Sequence, residues 1–301
     1  MFQGFAQIEQ HVMGLGVKKT IALAGAHDHD ALSAVVDARR RGIVDAVLVG
    51  NTKGILAELS ALGEDAASYE IMEAAGEQEA ALTACRLVAQ GKADIPMKGL
   101  LQTASFMWAI LNKDFGFVPE QALISHSIVV EDIHEQRLFL ITDCVINIAP
   151  VYAEKVKILQ NAVALAHKLG WDKPKVAVLA PVEVINPNMP ATIDAAMLSK
   201  AQQRGQIKGC IVDGPLGLDN AISPEAARHK GIVSEVAGCA DILLLPDINA
   251  GNIFCKSLTY YARFPNAGAV TGTAVPVVMT SRTDTPKDKL NAILVAILQS
   301  L

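Results

Sequence analysis

The stretch "LLLPDINAGNIFCKSL", Leu243–Leu258, changes character within a few residues. Three leucines form a continuous aliphatic run. Pro246 and Asp247 end it, Asn249, Ala250, Gly251 and Asn252 follow as turn-forming and polar residues, and Lys256 comes shortly after. An aliphatic run without polar alternation is the mark of a strand buried on both faces, as in a parallel sheet covered by helices. The stretch therefore reads as strand, turn and helix.

The same grammar recurs along the chain. "TIALAG", "AVLVG", "SYEIMEA" and "ADIPMKG" read as strands, and each is followed by a helical pattern such as "HDALSAVVDARRRG", "NTKGILAELSALG" or "GEQEAALTACRLVAQG". Asn51 reads as the cap of the second of these helices. Further on, "KVAVLAPV", "IKGCIVDGP", "ADILLLPD" and "AVPVVMTS" are apolar runs that end in Pro, Asp, Gly or Ser. Alternation on this scale predicts an α/β protein with mainly parallel sheets and right-handed crossovers.

With 301 residues, two α/β domains are the expectation. The sequence predicts a first domain from residues 1–130 plus 272–301 and a second from 131–271. The closing pattern "DTPKDKLNAILVAILQSL" reads as a helix returning to the first domain. Apolar residues make up 51% and aromatics 5%, so Ala, Val, Ile and Leu must build the cores. A net charge of -5 gives no basic surface of the kind nucleic acid requires. Cys85, Cys144, Cys210, Cys239 and Cys255 form no CxxC pair, which points to reduced thiols, no structural zinc and a cytoplasmic setting. No apolar run reaches membrane-spanning length, and the first residues lack the apolar core of a signal peptide.

Ligands of open α/β sheets gather beyond the carboxyl ends of the strands, so residues at which apolar runs end are the candidates. They are Lys98, Gly99 and Thr103; Ser125 and His126; Asp143 and Asn147; Asp213, Gly214, Pro215 and Asp219; Asn249, Gly251, Asn252 and Lys256; and Ser281 and Arg282. Each turn has a local reading, since Asp, Asn, Gly and Pro cap helices and end strands on their own account. Several of these endings carry Lys, Arg, Ser or His beside Gly. Arg grips phosphate bidentately, Lys supplies a point charge, and free N–H groups at helix starts attract anions. Together they point to an anionic, phosphate-bearing substrate. P-loop, dinucleotide-fingerprint and nucleophile-elbow motifs are absent. His27, Asp28, His29 and Asp30 cluster after the first strand, where a capping Asp explains them better than a metal does.

The motifs "MKGLLQTASF", "ISHSIVVE", "ITDCVINIAP", "KVAVLAPVEVINPNMPATIDAAMLS", "GQIKGCIVDGPLGLDNAIS", "ADILLLPDINAGNIFCKSLTYYA" and "VVMTSRTDTPKDKL" resemble the phosphate acetyl/butyryltransferase family, its butyryl branch most closely. The resemblance implies two domains like those of isocitrate and isopropylmalate dehydrogenases, an active cleft between them, and a homodimer or higher homo-oligomer. It implies the reaction acyl-CoA plus phosphate to acyl phosphate plus CoA through a ternary complex, with coenzyme A and phosphate as substrates and no permanently bound cofactor. Ser281 and Arg282 would meet the developing oxyanion, and Asp288 would take the place of the suggested base, with Asp284 nearby. Butyryl-type relatives tend to read "DFLR.VLN" where this chain reads "SFMWAILN", so Ser105 and Trp108 stand where Asp and Arg are expected.

Other readings of these residues remain at this point. A phosphate acetyltransferase would share most of the motifs. A metal-dependent hydroxy-acid dehydrogenase of the shared fold would need a carboxylate cluster and a dinucleotide site. A non-catalytic acyl-CoA-binding module would bind without turnover.

Overall fold

The computed structural model describes residues 1–301, and the chain forms two compact units. The first comprises Phe5–Ala122 and Asn266–Leu301; the second comprises Met1–Gly4 and Leu123–Pro265.

The first unit opens with α1 (Phe5–Gly14), followed by β1 (Lys19–Ala24), α2 (His29–Arg40), β2 (Val44–Gly50), α3 (Thr52–Ala61), β3 (Glu70–Glu73), α4 (Glu77–Ala89), β4 (Ile95–Lys98) and α5 (Thr103–Ile110). The four strands are parallel in the order β3-β2-β1-β4. The chain runs outward from β1 through β2 to β3, then returns to pair β4 on the other side of β1. This reversal puts the topological switch point between the carboxyl ends of β1 and β4, the place where such sheets bind ligands. Helix starts follow the expected chemistry: Asp28 accepts from the Ala31 N–H at 3.0 Å, and Asn51 from the Gly54 N–H at 2.7 Å. Asp28 is thus a helix cap, and His29 pairs with Glu58 at 2.8 Å.

The second unit contains β5 (Ser125–Asp132), β6 (Arg137–Thr142), α6 (Tyr152–Lys168), β7 (Lys175–Leu179), α7 (Pro190–Gln203), β8 (Ile211–Leu216), α8 (Leu218–Ile222), α9 (Pro224–His229), β9 (Ile242–Leu244) and α10 (Ile248–Ser257). Its strands lie in the order β5-β6-β9-β7-β8, with β5 and β6 antiparallel and the remaining pairs parallel. Strand β9 is central, and Ile242, Leu243 and Leu244 are all essentially buried. The aliphatic run that opened the sequence reading is therefore the interior strand it promised.

The chain then returns to the first unit as β10 (Asn266–Thr271) and α11 (Pro286–Gln299). Lys289 through Leu298 are buried without interruption, so α11 is a central rather than a one-sided helix, in contact with α1, α2 and β10. The expected strand "AVPVVMTS" shrinks to two bridges, Val277 with Val270 and Val278 with Met97. Pro276, just before them, has no N–H to give a ladder. The bridge still matters, because Lys98 N–H donates to Val278 O at 2.9 Å and fixes the exit of β4 beside residues 278–280.

Candidate active site

In the first unit the site is built on contact between strand ends. Gly99 N–H donates to Ala24 O at 2.8 Å, and Leu100 N–H to Gly25 O at 2.9 Å. A Cβ on Gly99 would lie 2.5 Å from Gly25 O, so only glycine lets the two backbones meet here. Lys98, the last residue of β4, is 3% exposed. Its Nζ has only two long contacts, to Gly99 O and Thr280 O, both at 3.4 Å, and no ion pair. Burial first, and then the Arg282 cation, hold its ammonium below the usual lysine value; Lys289 adds to this, while Asp28 and Asp284 act the other way. A buried cation without a carboxylate partner is an electrostatic vacancy for an anion.

Ser281 and Arg282 stand on the turn that follows Thr280. Asp284 N–H donates to Ser281 O at 3.2 Å, and Ser281 N–H donates to the Asp284 carboxylate at 2.7 Å, so the turn is closed twice. The Ser281 hydroxyl lies 3.1 Å from that of Thr283, and Arg282 is exposed at the tip. Asp288 is engaged locally. One carboxylate oxygen accepts from the Asn266 N–H at 3.1 Å and the other from the Thr285 hydroxyl at 2.6 Å, while Asp288 N–H donates back to Thr285 Oγ1. Thr285 thus caps α11 through the Asp288 N–H, and its hydroxyl donates back to the Asp288 carboxylate. Thr103 is exposed in the first turn of α5. On the same helix Ser105 Oγ reaches Glu77 at 3.3 Å, and Trp108 is 54% exposed.

In the second unit Asp143, just past β6, organises its neighbours. One oxygen accepts from Val145 N–H at 2.8 Å and Ile146 N–H at 3.0 Å. The other accepts from His126 N–H at 3.1 Å and Asn147 Nδ2 at 2.6 Å. Asn147 also donates to Ile124 O, and Ser125 Oγ accepts from Asn161 at 2.9 Å, so Ser125 ties β5 to α6. His126 is buried. The turn after β9 comes to the same place: a Cβ on Gly251 would lie 2.3 Å from Asp143 O, and Asn252 Nδ2 donates to Cys144 O at 3.3 Å. Asp247 caps α10 by accepting from Asn249 and Ala250 N–H groups. Asn249 is exposed in that first turn and Asn252 just after it, whereas Lys256 lies in the last turn, 5.9 Å from the Tyr260 ring centre.

The remaining candidates separate from this cluster. Asp213 accepts from Gly214 N–H at 2.8 Å, and Gly214 lies so close to β7 that a Cβ would meet Val178 O at 2.7 Å; Pro215 beside it is buried. Asp219 is exposed and pairs with Lys230, which also pairs with Glu183; the Lys230 ammonium holds both carboxyls below their usual range. Lys289 was not among the sequence candidates. It lies on the buried stripe that also holds Ala292, Ile293 and Ala296, and a lysine on that stripe was the available signal.

The arrangement of the first unit suits an anion: one buried ammonium, one exposed guanidinium and a hydroxyl on a braced turn. Comparison with known proteins bears on this directly. Residues 75–297 match the family described as phosphate acetyl/butaryl transferase. The phosphate butyryltransferase of Clostridium acetobutylicum is 47% identical over 99% of this chain and 98% of its own length. The crystal structure of a branched-chain phosphotransacylase from Enterococcus faecalis is 33% identical, with a TM-score of 0.82 over 93% of this chain and 98% of that one. A 4-hydroxythreonine-4-phosphate dehydrogenase from Klebsiella pneumoniae, at 12% identity and a TM-score of 0.55, shares the fold alone. Sequence, fold and full-length similarity agree, and the chain belongs to the phosphate acetyl/butyryl transferase family.

Proposed function

We propose that the protein moves a short acyl group, butyryl or a branched chain of similar length, between coenzyme A and inorganic phosphate. The observation that carries this reading is Lys98, a buried ammonium with no carboxylate partner and Arg282 as its strongest charged neighbour. Phosphate supplies the missing negative charge. Arg282 would hold it through paired donors, turning a bimolecular encounter into an oriented one. As a phosphate oxygen attacks the thioester carbon, charge develops on the carbonyl oxygen, and Ser281 Oγ with Arg282 would meet it. The C–S bond then breaks, coenzyme A leaves as the thiolate, and acyl phosphate is released.

Three of the five thiols are ill suited to a covalent cysteine intermediate. Burial pushes Cys85 up to about 12 and Cys210 to about 11, and Cys144 is raised well above the usual thiol value, so none of these three is poised as a thiolate. The choice of a four- or five-carbon acyl group rests on similarity to the butyryltransferase and the branched-chain phosphotransacylase. We assign the second unit's loops around Asp143 and Gly251 to acyl-CoA, because Asn249 is exposed beside them in the first turn of α10.

The deciding experiment is thiol release from acetyl-, propionyl-, butyryl-, isobutyryl- and octanoyl-CoA with and without phosphate. Strictly phosphate-dependent release, greatest with a four- or five-carbon donor, is the expected result. Release from no donor by folded protein rejects transfer, and tight acyl-CoA binding without release would leave a binding module in its place.

Two variants follow from the geometry. Asp288→Asn keeps acceptor and donor atoms for the Asn266 and Thr285 contacts but removes the negative charge. We expect it to retain most of the turnover, whereas Asp288→Ala should cost about 1 kcal/mol of stability, measured by denaturant melts, through loss of the hydrogen bonds from Asn266 and Thr285. A large loss of thiol-dependent turnover in Asp288→Asn would restore Asp288 as the base. Lys98 predicts a pH limb. Its folded-state value lies below that of an ordinary lysine, so the cation is lost earlier as pH rises, and phosphate affinity falls with it. Arg282, Lys289, Asp28 and Asp284 are the charges that set the position of this limb. Bound phosphate favours the charged form, so the limb should appear at lower pH in kcat/KM for phosphate than in kcat, and Lys98→Met should abolish it.

A further inference from the structure

Lys289 is 1% exposed in the first turn of α11. Two features of that position oppose a lysine. Its ammonium is removed from water, and a cation near a helix N-terminus faces the positive end of the macrodipole. No carboxylate lies within ion-pair distance of it. Instead Nζ donates to Ser281 O at 2.8 Å and to Asp284 O at 2.9 Å. These are the first and last carbonyls of the Ser281–Asp284 turn, the same turn closed by the Asp284 N–H and Asp284 carboxylate bonds to Ser281. A leucine or methionine would fill this place in the helix with no desolvation cost. What the lysine adds is a brace under the backbone that carries Ser281 and Arg282.

We propose that Lys289 is a positioning residue for acyl transfer, holding the Ser281–Arg282 turn in its reactive geometry from beneath. It touches no substrate; its charge-assisted bonds to two backbone carbonyls set where the Ser281 hydroxyl and the Arg282 guanidinium stand. Displacement of such groups by about 1 Å costs on the order of 10²-fold in rate, so a brace that leaves stability almost unchanged can still govern turnover. The inference rests on the acyl-transfer reading of the site.

The test compares Lys289→Met, Lys289→Arg, Arg282→Ala and the Lys289→Met/Arg282→Ala pair in the full chain. Lys289→Met should melt near the parent temperature, raise the phosphate KM about tenfold or more and lower kcat up to roughly 10²-fold. The acyl-CoA KM should stay within about twofold, because Ser281 and Arg282 meet that substrate only as charge develops on its carbonyl oxygen, and its ground-state binding is assigned to other residues. Lys289→Arg, which can donate to the same carbonyls, should recover part of the loss. In the double variant the losses should not add, since both changes act through Arg282. Parental phosphate kinetics in folded Lys289→Met, or additive losses in the double variant, overturn the proposal.

Amide hydrogen exchange provides a readout independent of turnover. Lys289→Gln, which retains one donor, should lose protection at residues 281–285 and keep it along α11 and β1. Uniform loss across the first unit would make Lys289 a plain stability residue and overturn the proposal, including in the case where Lys289→Met does not fold. If the parent shows no phosphate-dependent release at all, the acyl-transfer reading fails, and the exchange experiment alone decides whether Lys289 braces the turn.

Discussion

Arg282→Ala lowers phosphate-dependent thiol release by roughly 10²- to 10³-fold, the scale seen when one donor to a developing oxyanion is removed. The side chain is exposed at the tip of a turn closed by other atoms, so the loss comes with a native melting profile. Lys at this position restores little, because an ammonium cannot offer the two parallel donors of a guanidinium. The variant has a second, electrostatic signature. Arg282 is the strongest charged neighbour depressing Lys98, so its removal moves the Lys98 ammonium back toward the ordinary lysine value. The alkaline limb of phosphate binding should therefore shift to higher pH in whatever activity remains. Turnover close to that of the parent would remove Arg282 from the mechanism.

Gly251→Ala destabilises the second unit by about 3 kcal/mol, near the upper end for an inserted methyl group. The new Cβ would lie 2.3 Å from the Asp143 carbonyl oxygen and 3.1 Å from the Cys144 Cα, both backbone atoms of a loop pinned by the Asp143 carboxylate. Neither side can yield cheaply, because α10 is fixed by its Asp247 cap and by the Ile248 N–H bond to Ile148 O. Denaturant melts of Gly251→Ala and of Gly14→Ala make the comparison. A Cβ on Gly14 meets nothing within 4 Å, and that change should be neutral or slightly stabilising. Equal melts for the two variants would show that α10 and the Asp143 loop separate easily.

Much of the architecture was legible in the sequence because its signals are local. Buried parallel strands show as aliphatic runs, and their ends show as Pro, Asp, Asn and Gly. Asn51 and Asp28 are caps that a residue and its next three neighbours suffice to identify. Of the candidate site, Lys98 and Gly99 could be found by position at a strand end, and Ser281 with Arg282 by the same rule aided by resemblance. What each residue touches was not legible. Gly251 is held to glycine by the Asp143 carbonyl, from a loop over a hundred residues away in sequence. Ser125 sits at a strand start and ties itself to α6, and Asp219 is occupied by Lys230. Lys289 was missed because charge in a helix ordinarily means solvent. Its value depends on two carbonyls supplied by another segment, and no periodicity reports them.

The discontinuity of the first unit has a consequence for how the molecule is made. Its most thoroughly buried helix, α11, is translated only after the whole of the second unit has been translated. The segment Phe5–Ala122 emerges early with the face of α2 that α11 will cover still bare, and it must wait through the synthesis of residues 123–265 for its missing centre. The second unit, apart from four residues, is continuous and can reach its native state first. At about 5–20 residues per second that wait lasts on the order of ten seconds, during which apolar surface of the nascent first unit is open to holdase chaperones. Completion of the Ser281–Arg282 turn, braced from α11, thus follows synthesis of the second unit, and the protein gains its transfer chemistry only when both parts of the interrupted unit have met.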